Sequence, residues 1–83
     1  MYKIEFTKTA YKDFEKLTSK EKLKLKEILL NKVLVEPFSG KRLIGVLKGF
    51  FSIRLSYKDR IIYSIDLDKN TVYIHMVRTH YGD

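Results

Sequence analysis

Arg54 and Arg60 stand on either side of a short polar break, Tyr57-Lys58-Asp59. Before the break, Phe51, Ile53 and Leu55 alternate with Ser52, Arg54 and Ser56, the period of a strand with two different faces. After it, Arg60 to Ile65 is a β-branched and aromatic run suited to a central strand. The pattern predicts a β-hairpin that brings the two arginines near each other on one side of a sheet. Two guanidinium groups that close repel each other unless an anion lies between them, and each can grip phosphate through paired N–H donors. The hairpin is therefore a candidate phosphate site. The bland alternatives are a cross-strand ion pair for Arg54 and pairing with Asp59 or Asp66 for Arg60.

Other residues could join this chemistry. His80-Tyr81 follows the last predicted strand. Histidine is the side chain best suited to proton transfer near neutral pH, and a tyrosine beside it can stack on a base or donate to a phosphate oxygen. The alternative for this pair is a solvated tail. His75, inside the last predicted strand, reads as a structural partner for a neighbouring strand. Lys41, Arg42 and Lys48 form a basic link just before the hairpin, Lys58 lies in its loop, and Arg78 follows the last strand. These five are candidates for contact with an RNA backbone, against the plainer reading of a solvated charged surface. Metal chemistry is not supported: the ten carboxylates are scattered, and there is neither an HExxH nor a His pair at ligand spacing. No cofactor is implied, since no Gly-rich phosphate loop is present.

Composition narrows the partner. The formal net charge is +7, which points to a polyanion: nucleic acid or an acidic protein. Residues 1–40 hold nine lysines and no arginine, whereas residues 41–83 hold four lysines and all four arginines. Arginine is the better bidentate phosphate ligand, so the anion-handling half is the C-terminal one. Apolar residues at 45% and charged residues at 33% describe a globular chain, and 83 residues describe a single domain. The absence of cysteine excludes a disulfide framework and favours a cytoplasmic home. The apolar runs are too short to span a membrane, and the opening Met1-Tyr2-Lys3-Ile4-Glu5 lacks the apolar core of a signal peptide.

The elements that must carry these residues follow from periodicity. Tyr2, Ile4 and Phe6 alternate as the inward side of a first strand. Thr7 or Thr9 caps a helix whose buried stripe is Ala10, Phe14 and Leu17. Thr18-Ser19-Lys20-Glu21 is a capping box that opens a second helix, with Leu25, Ile28 and Leu29 inward and Val33 a further candidate. So short a link predicts an antiparallel helical hairpin. Pro37-Phe38-Ser39-Gly40 ends the helical part, and Lys41 to Gly49 reads as a link. The hairpin, a turn at Asp66-Leu67-Asp68-Lys69-Asn70 and a strand over 71–77 complete the chain. The expected fold is α+β: an N-terminal strand, a helical hairpin, then a three-stranded antiparallel meander, with the helices over one sheet face and the other face, or its edge, left for function.

Taken together, these residues resemble the RelE/YoeB group of the RelE–ParE toxin superfamily. The resemblance runs through the opening "YKIEFTKTAYKDFEKL", the central "LKGFFSIRLSYKDRIIYSI" and the ending "VYIHMVRTHYGD". It implies a RelE-like small toxin fold and the toxin of a type II toxin–antitoxin system. It implies a metal-independent endoribonuclease that cuts mRNA in the ribosomal A site, so that 16S rRNA contacts and a cognate acidic antitoxin are the expected partners. No membrane and no small-molecule cofactor take part. By the resemblance, Arg60 matches the arginine that stabilises the scissile phosphate. His80 and Tyr81 match the YoeB-type general acid and its adjacent tyrosine. Arg54 matches a basic strand residue that is a catalytic lysine in RelE proper, and Ser52 stands where RelE proper has its other lysine. The YoeB-type glutamate base has no counterpart, because the matching region reads Lys41-Arg42. The competing function on the same fold is that of a ParE-like toxin, which inhibits DNA gyrase without cutting RNA.

Overall fold

The computed structural model describes residues 1–77. Its elements are β1 (Lys3–Phe6), α1 (Lys8–Glu15), α2 (Ser19–Ile28), β2 (Lys41–Arg42), β3 (Phe51–Arg54), β4 (Arg60–Asp66) and β5 (Thr71–Met76). The strands form one mixed sheet in the order β1-β5-β4-β3-β2. β3, β4 and β5 make the expected antiparallel meander. β1 lies parallel to β5, with Ile4 opposite Val72 and Phe6 opposite Ile74. Alternation along residues 2–6 shows that a strand exists but says nothing about which neighbour it takes. The choice is made by two links, Lys3 N–H to the Asn70 carbonyl at 2.9 Å and Thr7 N–H to the Ile74 carbonyl at 3.0 Å. Asn70 reaches the first of these with φ of 48°, a left-handed conformation that asparagine tolerates in turns.

Both helices start as their caps dictate. The Thr7 hydroxyl accepts from Ala10 N–H at 3.1 Å. Thr18 and Glu21 close a reciprocal capping box, with hydrogen bonds of 3.1 and 2.8 Å. Ala10, Leu17, Leu25, Ile28, Leu29 and Val33 are buried in one core with Phe51, Leu55, Ile61, Tyr63, Val72, Ile74 and Val77. Tyr2, Ile4, Phe6 and Phe14 pack against its margin. Past α2 the chain makes one wide turn, Leu29–Val33, in which Leu34 N–H reaches back five residues to the Leu29 carbonyl at 2.9 Å. Among the described residues no helix is long and apolar enough to cross a membrane.

The expected link over 41–49 is in part a strand. Lys41 and Arg42 pair with Ser52 and Phe51 as a short edge strand, and a 3-10 turn at Gly45–Leu47 follows. What holds this edge is Tyr63, which is fully buried at the centre of the sheet. Its hydroxyl donates to the Pro37 carbonyl at 2.8 Å and accepts from Gly40 N–H at 3.2 Å. Its ring stacks on Phe51 at 5.4 Å. Gly40 is required for steric reasons, not for its backbone angles. A Cβ there would overlap the Tyr63 hydroxyl and come within 3.1 Å of the Ser52 carbonyl.

Burial pushes the Tyr63 phenol above the usual tyrosine range, against a smaller opposing effect of the Gly40 hydrogen bond. The folded state therefore holds this proton more tightly than the unfolded chain. The resulting stability is complete below the unfolded tyrosine value of about 10 and is lost as pH rises through the folded one. Tyr63→Phe should lower stability at neutral pH by about 1–3 kcal/mol, because Gly40 N–H and the Pro37 carbonyl lose their partner. It should also flatten the alkaline loss of stability. Urea unfolding of both proteins across pH 7 to 11 checks both outcomes.

Candidate functional site

The register of the β3–β4 pair sets Arg54 directly opposite Arg60. Directly opposed residues of an antiparallel pair share a face. Phe51, Ile53 and Leu55 turn to the core, so both arginines lie on the open face of the sheet. Arg54 is the last residue of β3, not a mid-strand residue, because the strand pairing stops there. The turn that follows runs from residue 55 to 59. Leu55 N–H and Ser56 N–H both donate to the Asp59 carbonyl, at 2.9 and 3.2 Å, and the Leu55 side chain anchors the turn in the core. The Arg54 guanidinium donates to the Tyr57 carbonyl at 3.2 Å, which ties it across the turn.

No carboxylate neutralises this pair among the described residues. The one ion pair there is Lys3 with Glu5, at 3.8 Å. Asp59 instead accepts from the Ser56 hydroxyl at 3.3 Å, and Asp66 accepts from Lys69 N–H at 3.1 Å. The alternatives of an Arg60–aspartate pair and of an Arg54 cross-strand ion pair are therefore not what the described residues form. The partner across from Arg54 is another cation. Like charges directly opposed destabilise a sheet, so the pairing has a cost that an anion would remove.

The basic residues around it divide between the two faces. Lys41 lies opposite Ser52 and so shares the open face with Arg54 and Arg60. Arg42 lies opposite Phe51, and its guanidinium sits 5.4 Å over that ring, away from the arginine pair. This separates two residues that sequence alone groups together. Arg42 and Lys48 line a groove of about 520 Å³ with Leu43, Ile44, Gly45 and Phe50. Lys58 is exposed in the turn between the arginines. Arg78, His80 and Tyr81 lie outside the described residues.

His75 has the strand partner expected of it. Its Nε2 is 2.8 Å from the Ser64 hydroxyl on β4, and its ring lies 4.7 Å from Phe50. Burial lowers its pKa below the usual histidine range, which favours the neutral ring. His75 occupies a bulge: Tyr63 pairs with Ile74 and Ile62 with Met76, so β5 spends one extra residue there. The bulge reverses the in–out order, and Val77 returns to the core after Ile74. Sequence reasoning missed this bulge. It also missed the burial of Ser52, which the alternation assigns to the open side but which is 2% exposed. Nothing in a strand's period signals either, since both depend on a neighbouring strand.

A family model described as YoeB-like toxin of bacterial type II toxin-antitoxin system matches residues 6–81. The toxin–antitoxin complex RelBE2 from Mycobacterium tuberculosis contains a similar chain. It is 34% identical, with 95% of this chain and 98% of that chain covered and a TM-score of 0.83. A chain of the intact E. coli RelBE toxin–antitoxin complex is 25% identical, with 95% and 96% covered and a TM-score of 0.81. One from the heterotetrameric YoeB–YefM complex of Staphylococcus aureus is 25% identical, with 98% and 99% covered and a TM-score of 0.70. No curated protein sequence matches the chain.

Because Arg54 and Arg60 oppose each other unneutralised, removing the Arg60 charge should not destabilise the fold. Arg60→Ala should raise stability by about 0.2–1 kcal/mol at low ionic strength, a gain that Arg54→Ala offsets by giving up its hydrogen bond to the Tyr57 carbonyl. High salt should shrink the difference, since screening already weakens the repulsion. Denaturant midpoints at low and high salt measure this.

Proposed function

The chain belongs to the YoeB-like toxins of bacterial type II toxin–antitoxin systems, and we propose that it is a ribosome-dependent endoribonuclease acting on mRNA in the A site. The observation that carries this reading is the Arg54–Arg60 pair on the open sheet face, two cations in register with no carboxylate between them among the described residues. Such a pair suits a phosphate that gains charge during reaction.

In the proposed reaction a ribose 2′-OH gives its proton to a base and its oxygen attacks the adjacent phosphorus. The P–O5′ bond breaks, and an acid donates a proton to the departing 5′-oxygen. The products are a 2′,3′-cyclic phosphate and a 5′-hydroxyl end. No water or metal is consumed. Arg60 holds the scissile phosphate and Arg54 supports it across the strand pair. A fixed cation at a developing oxyanion is worth about 3–4 kcal/mol in the transition state. His80 is the acid, and Tyr81 stacks on or orients the nucleotide. Lys41, Lys58 and Arg78 hold the RNA backbone, and Arg42 and Lys48, which line the groove away from the arginine pair, hold RNA backbone or 16S rRNA there. The base is a group other than a carboxylate at 41–42, where the chain carries Lys41 and Arg42.

The similar chains named above come from complexes with antitoxins. With a net charge of +7, this chain suits a cognate acidic antitoxin, and the pair belongs in the cytoplasm. It works as a single toxin domain without a cofactor. Binding of such an antitoxin should weaken as salt rises, and an affinity flat from low to high salt counts against an acidic partner.

The nuclease reading is tested on programmed ribosomes by mapping mRNA ends. The wild type should cut in the A site. Arg60→Ala should slow cleavage about 10²–10³-fold, and His80→Ala about 10²–10⁴-fold, with no loss of melting temperature in either. Intact mRNA together with gyrase trapped on DNA would overturn the reading in favour of a gyrase poison.

A further inference from the structure

Ser52 is 2% exposed, and among the described residues its hydroxyl is the one buried side-chain polar atom without a hydrogen-bond partner. A buried hydroxyl left unpaired is destabilising, and one in a native protein calls for an explanation. Its position suggests one. Phe51 and Ile53 turn to the core, so Ser52 projects on the other side, the face that carries Arg54 and Arg60. Arg54 is two residues along the same strand, where side chains of one face are neighbours. Lys41 lies opposite Ser52 on β2, and Ile62 lies opposite it on β4. The hydroxyl thus stands between one cation across the edge pair and two cations on the next row of the sheet.

We propose that Ser52 is a built-in hydrogen-bond donor of the anion site, its hydroxyl unpaired among the described residues and given to a phosphoryl oxygen held by Arg54 and Arg60. The inference rests on reading that face as a phosphate site. A serine O–H is both donor and acceptor, and only its donor role is used toward an anion. A neutral donor adds direction without adding to the repulsion among the three cations. A bound phosphate oxygen gives the hydroxyl the acceptor that the described residues do not, in a hydrogen bond to a charged group, the strong kind. Stability and binding therefore pull this residue in opposite directions, a mark of a functional position.

The test uses the purified full chain and inorganic phosphate, titrated at constant ionic strength against chloride by calorimetry or amide chemical shifts. Melting temperatures are taken in phosphate-free buffer. Ser52→Ala should melt no lower than the wild type and bind phosphate about tenfold more weakly. Arg54→Ala and Arg60→Ala serve as controls and should also bind more weakly. If Ser52→Ala keeps phosphate affinity within about twofold of wild type while the arginine variants lose it, the inference about Ser52 is overturned and the phosphate site stands. If neither arginine variant loses affinity, both are overturned. Neither result depends on the ribosome. Intact phosphate binding with uncut mRNA therefore counts against the nuclease alone.

Discussion

The hydroxyl of Tyr63 is the contact on which the open face depends. It is buried at the centre of the sheet and joins the Pro37 carbonyl to Gly40 N–H. A phenol in that place satisfies one donor and one acceptor of a loop that has left the helices and not yet joined the sheet. Without it, burying that loop would strand two backbone polar groups, each costly away from water. With it, the chain emerges from Gly40 in register with β3, and Lys41 is delivered opposite Ser52. The ring does a second job by stacking on Phe51, whose other neighbours are Phe38 at 5.8 Å and the Arg42 guanidinium. One side chain thereby fixes the edge strand from beneath and decides which of two adjacent basic residues faces the arginine pair.

From that edge inward, the sheet separates two kinds of chemistry. The core face is apolar and continuous from the helices to Val77. The open face carries a row of Lys41, Ser52 and Ile62, beside a row of Arg54 and Arg60. Repulsion between opposed arginines has to be offset by the rest of the fold, and the means are visible. The tight turn over 55–59 is closed by two backbone hydrogen bonds to the Asp59 carbonyl and pinned by buried Leu55. The carboxylate that could have neutralised the pair is turned to the Ser56 hydroxyl. A hairpin whose register sets two arginines opposite each other on one face suits an anion, the arrangement that electrostatic catalysis favours.

Much of this was legible in the residues. The capping box at Thr18–Glu21, the stripes of Ala10, Phe14 and Leu17 and of Leu25, Ile28, Leu29 and Val33, and the Arg54–Arg60 hairpin all reappear in the structure. They share a physical origin. Caps, helical stripes and hairpin registers are set by residues within a few positions of each other, so a local pattern suffices. The resemblance to RelE and YoeB toxins had the same basis, being carried by strings that the family model covers but for the first four residues of the opening one and the last two of the ending one.

By itself the sequence determined the two capped helices and the apolar stripe of each, the strands β1, β3, β4 and β5, and that two arginines meet across one hairpin. Only the tertiary structure decided that β1 runs parallel to β5, that Lys41–Arg42 is an edge strand, that Arg42 turns away to the Phe51 ring, and that Ser52 is buried without a partner among the described residues. It also decided the bulge at His75, which returns Val77 to the core. Each of these depends on what lies across a strand pair or beneath a ring, from residues far away in the chain. Periodicity records how a segment divides its own two sides. It holds no record of the neighbour that each side will meet, and the meeting of distant segments determines which polar groups are paired and which are left for a ligand.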